Sequence, residues 1–141
     1  MNTQTNATGA PNASISVLIV DDNSFIQDLF SEMLLAMKIA DIHSASNGRI
    51  ALRTLAELPR PPDFLICDVF MPDMDGIEFL TELAKKNYQG GVILISGADI
   101  SLLGIAQQMA AESGLKLWGV HTKPVSKGTL AATLHAAGIS G

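Results

Sequence analysis

Residues 64–76 read FLICDVFMPDMDG. Four apolar side chains in a row, Phe64-Leu65-Ile66-Cys67, give way to the carboxylate Asp68, and Pro72 and Gly76 then mark a turn. A short, continuously apolar run bounded by turn residues is the pattern of a strand covered on both faces. Directly after it, Ile77, Leu80, Leu83 and Ala84 recur at helical spacing, so the segment predicts strand, turn and helix in that order. The same unit repeats outward in both directions. Strand-like runs stand at 16–20, 42–45, 92–95 and 117–120. Upstream, Ile26, Leu29, Phe30, Met33, Leu34 and Met37 make one continuous helical stripe; Ala51, Leu55 and Leu58 make another, ended by Pro59-Arg60-Pro61-Pro62. Downstream, Leu102, Leu103, Ala106, Met109 and Ala110 form a fourth helix, and Leu130, Leu134 and Ala137 the last. Five strands each followed by a helix imply a parallel sheet with right-handed crossovers. The repeat occupies about 125 residues, half the roughly 250 of an eight-fold barrel, which leaves an open, doubly wound (βα)5 sheet of the α/β class.

Composition narrows the function. The 141 residues suit one domain, and 48% apolar content excludes wholesale disorder. A net charge of −5 with no basic patch argues against a nucleic-acid surface. A single cysteine, Cys67, excludes a disulfide framework and a cysteine-based zinc site. Apolar runs of a handful of residues fall far short of the about 20 that a membrane span needs. Residues 1–14 carry no charge and no bulky apolar side chain after Met1, and are expected to be a flexible tail ahead of a domain at 15–138. They lack the basic start and apolar stretch of a secretory signal, which points to the cytoplasm. Without that signal, the glycosylation-like triplets at Asn6 and Asn12 are chance matches.

Ligands of an open α/β sheet bind beyond the carboxyl ends of its strands. The residues just past those ends are Asp21-Asp22, Asp68, Ser96-Gly97 and Lys123-Pro124. Three carboxylates, a hydroxyl and an ammonium therefore converge on one rim. Carboxylates so close repel, so a cation should join them or one should take up a proton. A hard divalent ion, Mg²⁺ above all, suits carboxylate and backbone oxygens. With the Ser96 hydroxyl and Lys123 ammonium added, the rim holds what phosphoryl transfer requires: positioning and neutralised oxygens.

Blander readings exist for each residue taken alone. Asp21 and Asp22 could cap the helix that starts near Ser24, Asp68 could be an ordinary turn residue, and Lys123 a solvated loop residue. Cys67 and Trp118 read as packing, and His43, His121 and His135 are too scattered for a metal or catalytic cluster. Asp73, Asp75 and Gly76 partly mimic a calcium loop, but its first ligand position would be Met71, which cannot bind calcium.

From about Ser16 to Ala137 the chain resembles the receiver domain of two-component response regulators. The matching pieces are Asp21-Asp22 after Val17-Leu18-Ile19-Val20, and Ala45-Ser46-Asn47-Gly48 leading into Ala51-Leu52. Asp68 with Met71 to Gly76, Ile95-Ser96-Gly97 and Lys123-Pro124 follow in order. The resemblance implies a flavodoxin-like sheet with strand order 2-1-3-4-5. It implies that Asp68 accepts a phosphoryl group from a phosphohistidine on a sensor histidine kinase or histidine phosphotransfer protein. Asp21, Asp22, Asp68 and the Phe70 backbone carbonyl would hold Mg²⁺, while Ser96 and Lys123 would bind phosphoryl oxygens. Such a chain is a phosphoacceptor rather than an enzyme, and acts by switching its contacts with a partner, an output domain or a second copy of itself. The stretch from Leu94 to Pro124 is similar to receivers fused to EAL-type phosphodiesterase domains, which suggests such an output in a longer chain.

One position departs from the family pattern. Val120 stands where an aromatic switch residue is frequent, three positions before Lys123. Phe70, two residues after Asp68, cannot orient an attacking water, so a long-lived phosphoryl group is expected. The competing reading is a Mg²⁺-dependent phosphatase of the haloacid dehalogenase type, which also uses a strand-end aspartate. Such enzymes need a second aspartate two residues on as general acid, and Phe70 occupies that place.

Overall fold

The structure is a computed structural model that describes residues 14–71, 74, 76–97 and 100–139. Most of the expected tail, together with Pro72, Asp73 and Asp75 of the turn after the third strand, lies outside the described residues. Strands and helices alternate throughout: β1 (Ser16–Val20), α1 (Ser24–Ala36), β2 (Asp41–Ala45), α2 (Gly48–Glu57), β3 (Phe64–Asp68), α3 (Gly76–Lys85), β4 (Gly91–Ser96), α4 (Ile100–Glu112), β5 (Lys116–Thr122) and α5 (Lys127–Ala136). All neighbours pair in parallel, in the order β2-β1-β3-β4-β5. This is the doubly wound, flavodoxin-like topology that the repeat and the resemblance imply.

The apolar runs are continuous because the central strands are buried on both sides. Val17, Ile19, Phe64, Ile66, Ile93 and Ile95 pack with Phe30 and Leu34 of α1 and Leu130 and Leu134 of α5. Their sequence neighbours Leu18, Val20, Leu65, Cys67, Val92 and Leu94 pack with Ala51 of α2, Phe79, Leu80 and Leu83 of α3, and Leu103, Ala106 and Ala110 of α4. Each large side chain taken fully out of water in these layers contributes about 1.5–3 kcal/mol. The edge strand β2 differs. Only Ala45 is buried there, and Asp41 and His43 hydrogen-bond at 2.8 Å toward solvent.

β5 runs from 116 to 122, longer than the apolar pattern over 117–120, because its backbone stays paired to β4 as far as Ser96 and Thr122. A bulge interrupts the pairing: Val92 opposes Leu117, but Ile93 opposes Gly119. Trp118 is the extra residue. Its ring packs 5.3 Å from that of Phe64 and lies against Gly91, where any Cβ would come within 2.1 Å of the indole.

Candidate functional site

Parallel strands carry their carboxyl ends to one edge of the sheet, and the described site residues stand there. Asp21 follows β1, and its N–H donates to the Ala45 carbonyl at the end of β2 (3.0 Å). The cap of α1 falls to Asn23 rather than to Asp21 or Asp22: the Asn23 side-chain oxygen accepts the N–H groups of Phe25 (2.9 Å) and Ile26 (3.3 Å). Capping therefore leaves both aspartates to the site. Asp21 Oδ1 accepts the Asn23 N–H at 2.9 Å.

Lys123 joins the two buried carboxylates. Its Nζ lies 2.9 Å from Asp21 Oδ2 and 3.0 Å from Asp68 Oδ2. The Phe70 N–H donates to Asp68 Oδ1 at 3.0 Å, so both oxygens of Asp68 are held. Asp21 and Asp68 are 2% and 4% exposed, whereas Asp22 is exposed. Among the described residues, Asp21, Asp22 and Asp68 form the one group of three or more candidate ligands, with carboxylate oxygens all within 4.8 Å of one another. The three histidines do not gather. His43 pairs with Asp41, His121 bonds Thr133 Oγ1 at 2.8 Å, and His135 is exposed on α5.

Ser96 ends β4, one residue beyond Ile95, the partner of Asp68 in the sheet. It is buried, and its carbonyl accepts the Lys123 N–H at 2.8 Å. Register and this bond bring Ser96 to the rim beside Asp68 and Lys123. Cys67 behaves as packing: it is fully buried, and burial pushes its thiol well above the usual range, with the Asp68 and Asp21 charges adding to the effect.

Burial also raises the Asp68 carboxyl above its ordinary range, with the Asp21 charge assisting. The Phe70 N–H and Lys123 oppose that rise without cancelling it. Burial alone would lower the Lys123 ammonium, but hydrogen bonds and charge from Asp21 and Asp68 outweigh it and raise the group. Three carboxylates facing one ammonium leave an excess of negative charge. The donors are hard oxygens, one carboxylate faces solvent, and the set fits a hard divalent cation.

Sequence patterns did not single out Gln27. Its Nε2 donates to the Asp21 carbonyl at 2.7 Å and reaches the Ala45 carbonyl at 3.4 Å. The one available signal was an amide on the inner side of the α1 stripe, one turn before Phe30, where an apolar residue would be ordinary.

A fold of five parallel strands with an acidic triad and a lysine at the carboxyl rim defines a class that comparison with known proteins makes definite. Residues 17–135 match the family model of the response regulator receiver domain, and the chain belongs to that family of two-component signalling domains. It is similar to the protein-glutamate methylesterase/protein-glutamine glutaminase of Treponema denticola, at 44% identity over 85 residues, covering 58% of this chain and 22% of that protein. It is similar to the regulatory protein AtoC of Escherichia coli, at 36% identity over 80 residues, covering 57% of this chain and 17% of that protein. Among solved structures, the chemotaxis protein CheY4 of Vibrio cholerae superposes with a TM-score of 0.72 at 26% identity, covering 86% of this chain and 97% of that one. The match thus spans about a fifth of the two curated relatives. The phosphatase reading gains no support: the family match is to receivers, and Phe70 stands where the general acid would be needed. No helix among the described residues is long and apolar enough to cross a membrane.

Proposed function

We propose that Asp68 is the phosphoacceptor of this receiver domain, taking a phosphoryl group from the phosphohistidine of a sensor kinase or phosphotransfer protein. The observation that carries this reading is the Lys123 ammonium set within 3.0 Å of both buried carboxylates, beside a third that faces solvent. Asp21, Asp22, Asp68 and the Phe70 backbone carbonyl would hold Mg²⁺, which when bound neutralises carboxylate and phosphoryl oxygens. The rest is done by the chain. The Phe70 N–H and Lys123 fix the Asp68 carboxylate in one orientation, ready for in-line attack. An Asp68 oxygen bonds to phosphorus as the phosphorus–nitrogen bond to the donor imidazole breaks, and the imidazole keeps that electron pair. Lys123 and the Ser96 hydroxyl then meet the new phosphoryl oxygens.

The added charge draws the Ser96 loop inward and shifts the α4–β5 face, a local electrostatic event acting on a two-state element. Val120 packs beneath α4 where an aromatic switch is common, so this shift proceeds without a ring moving in or out. The unit acts in the cytoplasm as a phosphoacceptor, with residues 15–138 as the domain. Its output belongs to a separate domain or partner, for which the EAL type is the finer proposal; the length of the encoding reading frame tests that. Intact-mass measurement after acetyl phosphate and Mg²⁺ tests the central role. Wild type should gain one phosphoryl group and Asp68→Asn none; an equal gain in both would overturn the assignment.

A further inference from the structure

Of the three clustered carboxylates, Asp21 and Asp68 are locked by side-chain and backbone donors. Asp22 is different: it is exposed, and no hydrogen bond or ion pair to it occurs among the described residues. Its side chain is therefore aimed by its backbone alone. The peptide that joins it to Asp21 is held by Gln27, whose Nε2 donates to the Asp21 carbonyl at 2.7 Å. The same amide group reaches the Ala45 carbonyl at 3.4 Å, the carbonyl that also accepts the Asp21 N–H at 3.0 Å. One half-buried amide thus ties the first turn of α1 to the ends of β1 and β2, and fixes the plane of the 21–22 peptide.

We infer that Gln27 is a positioning residue for the metal site, aiming Asp22 through the Asp21–Asp22 peptide. The inference rests on the proposed Mg²⁺ site. A ligand with no bond of its own samples several directions unless its backbone is pinned, and each lost direction is affinity gained when the ion binds. An amide suits the task because it donates to two carbonyl oxygens while adding no charge to a crowded acidic rim.

The test is Mg²⁺ binding by isothermal titration calorimetry, without any phosphodonor, for wild type, Gln27→Met, Asp22→Asn and the double variant. Methionine keeps the length and removes the donor. Gln27→Met should weaken Mg²⁺ roughly five-fold, as expected from losing one hydrogen bond of ordinary strength. That loss should disappear in the Asp22→Asn background, because the two residues act in series. An unchanged affinity in Gln27→Met, or an equal loss with and without Asp22, would overturn the inference. If Gln27→Met folds poorly, the amide resonance of Asp22 in Gln27→Leu, measured without metal at low temperature, replaces it. A shift confined to residues 21–23 and 45 supports the inference, and an unmoved Asp22 resonance overturns it. Should wild type itself not bind Mg²⁺, the metal site fails, and this inference with it.

Discussion

Asp68 sits where burial and the Asp21 charge press it toward the protonated form, while the Phe70 N–H and Lys123 press the other way and lose. Its folded value therefore lies above that of the unfolded chain. Between the two, the folded state binds the extra proton, so stability falls as pH rises through that window. Lys123, also raised, has the opposite practical effect: its stabilisation is complete at neutral pH and is lost only as pH climbs through its raised value. Asp68→Asn should consequently melt a few degrees higher than wild type at pH 7 without divalent ions, a gain on the order of 1 kcal/mol. Differential scanning calorimetry should show the gap closing toward pH 4 and on adding Mg²⁺. Phe70 is 67% exposed beside this carboxylate and offers no side-chain hydrogen bond to water. Phe70→Asn should shorten the lifetime of the phosphoryl group several-fold, read by intact mass over time; equal decay rates would count against a role for this position.

Four helices end on a residue in the left-handed region: Lys38 after α1 (φ 68°), Asn87 after α3 (φ 58°), Gly114 after α4 (φ 82°) and Gly138 after α5 (φ 96°). Glycine and asparagine tolerate that conformation; lysine bears a Cβ penalty there. The Met37 and Ile39 N–H groups both close onto the Leu34 carbonyl around it, so the turn is enforced by the helix end. Lys38→Gly should raise stability by about 1 kcal/mol, measured by urea unfolding with an unchanged slope. Such details were out of reach of pattern reading. Strands β1, β3 and β4 were legible because burial on both faces leaves an unbroken apolar run, and the rim positions of Asp21, Asp22, Asp68, Ser96 and Lys123 because these residues stand at or just past strand ends. The bulge at Trp118 was not legible, since an extra residue in a strand leaves the same composition. The cap of α1 was left open because Asp21, Asp22 and Asn23 are all competent caps, and only the geometry chooses Asn23. Gln27 left only the faint signal of an amide beside the α1 stripe, because its partners are carbonyls, which every residue owns.

At the scale of the molecule, two apolar layers flank the sheet while the buried carboxylates Asp21 and Asp68 are gathered with Lys123 at one rim. Binding at that rim is linked to folding by mass action: Mg²⁺ at a hundred times its dissociation constant stabilises the folded state by about 2.7 kcal/mol. Wild type should show this as a rise in melting temperature with Mg²⁺, and Asp22→Asn a smaller one. The Trp118–Phe64 stack has a consequence for how the protein can be watched. Phe64 begins β3 and Asp68 ends it, four steps of about 3.3 Å and so roughly 13 Å apart. The chain's single indole chromophore is therefore stationed at the far end from the acidic rim. Its emission should report loss of the core on denaturation and stay constant when acetyl phosphate and Mg²⁺ are added, making it an optical gauge of folding that is blind to signalling.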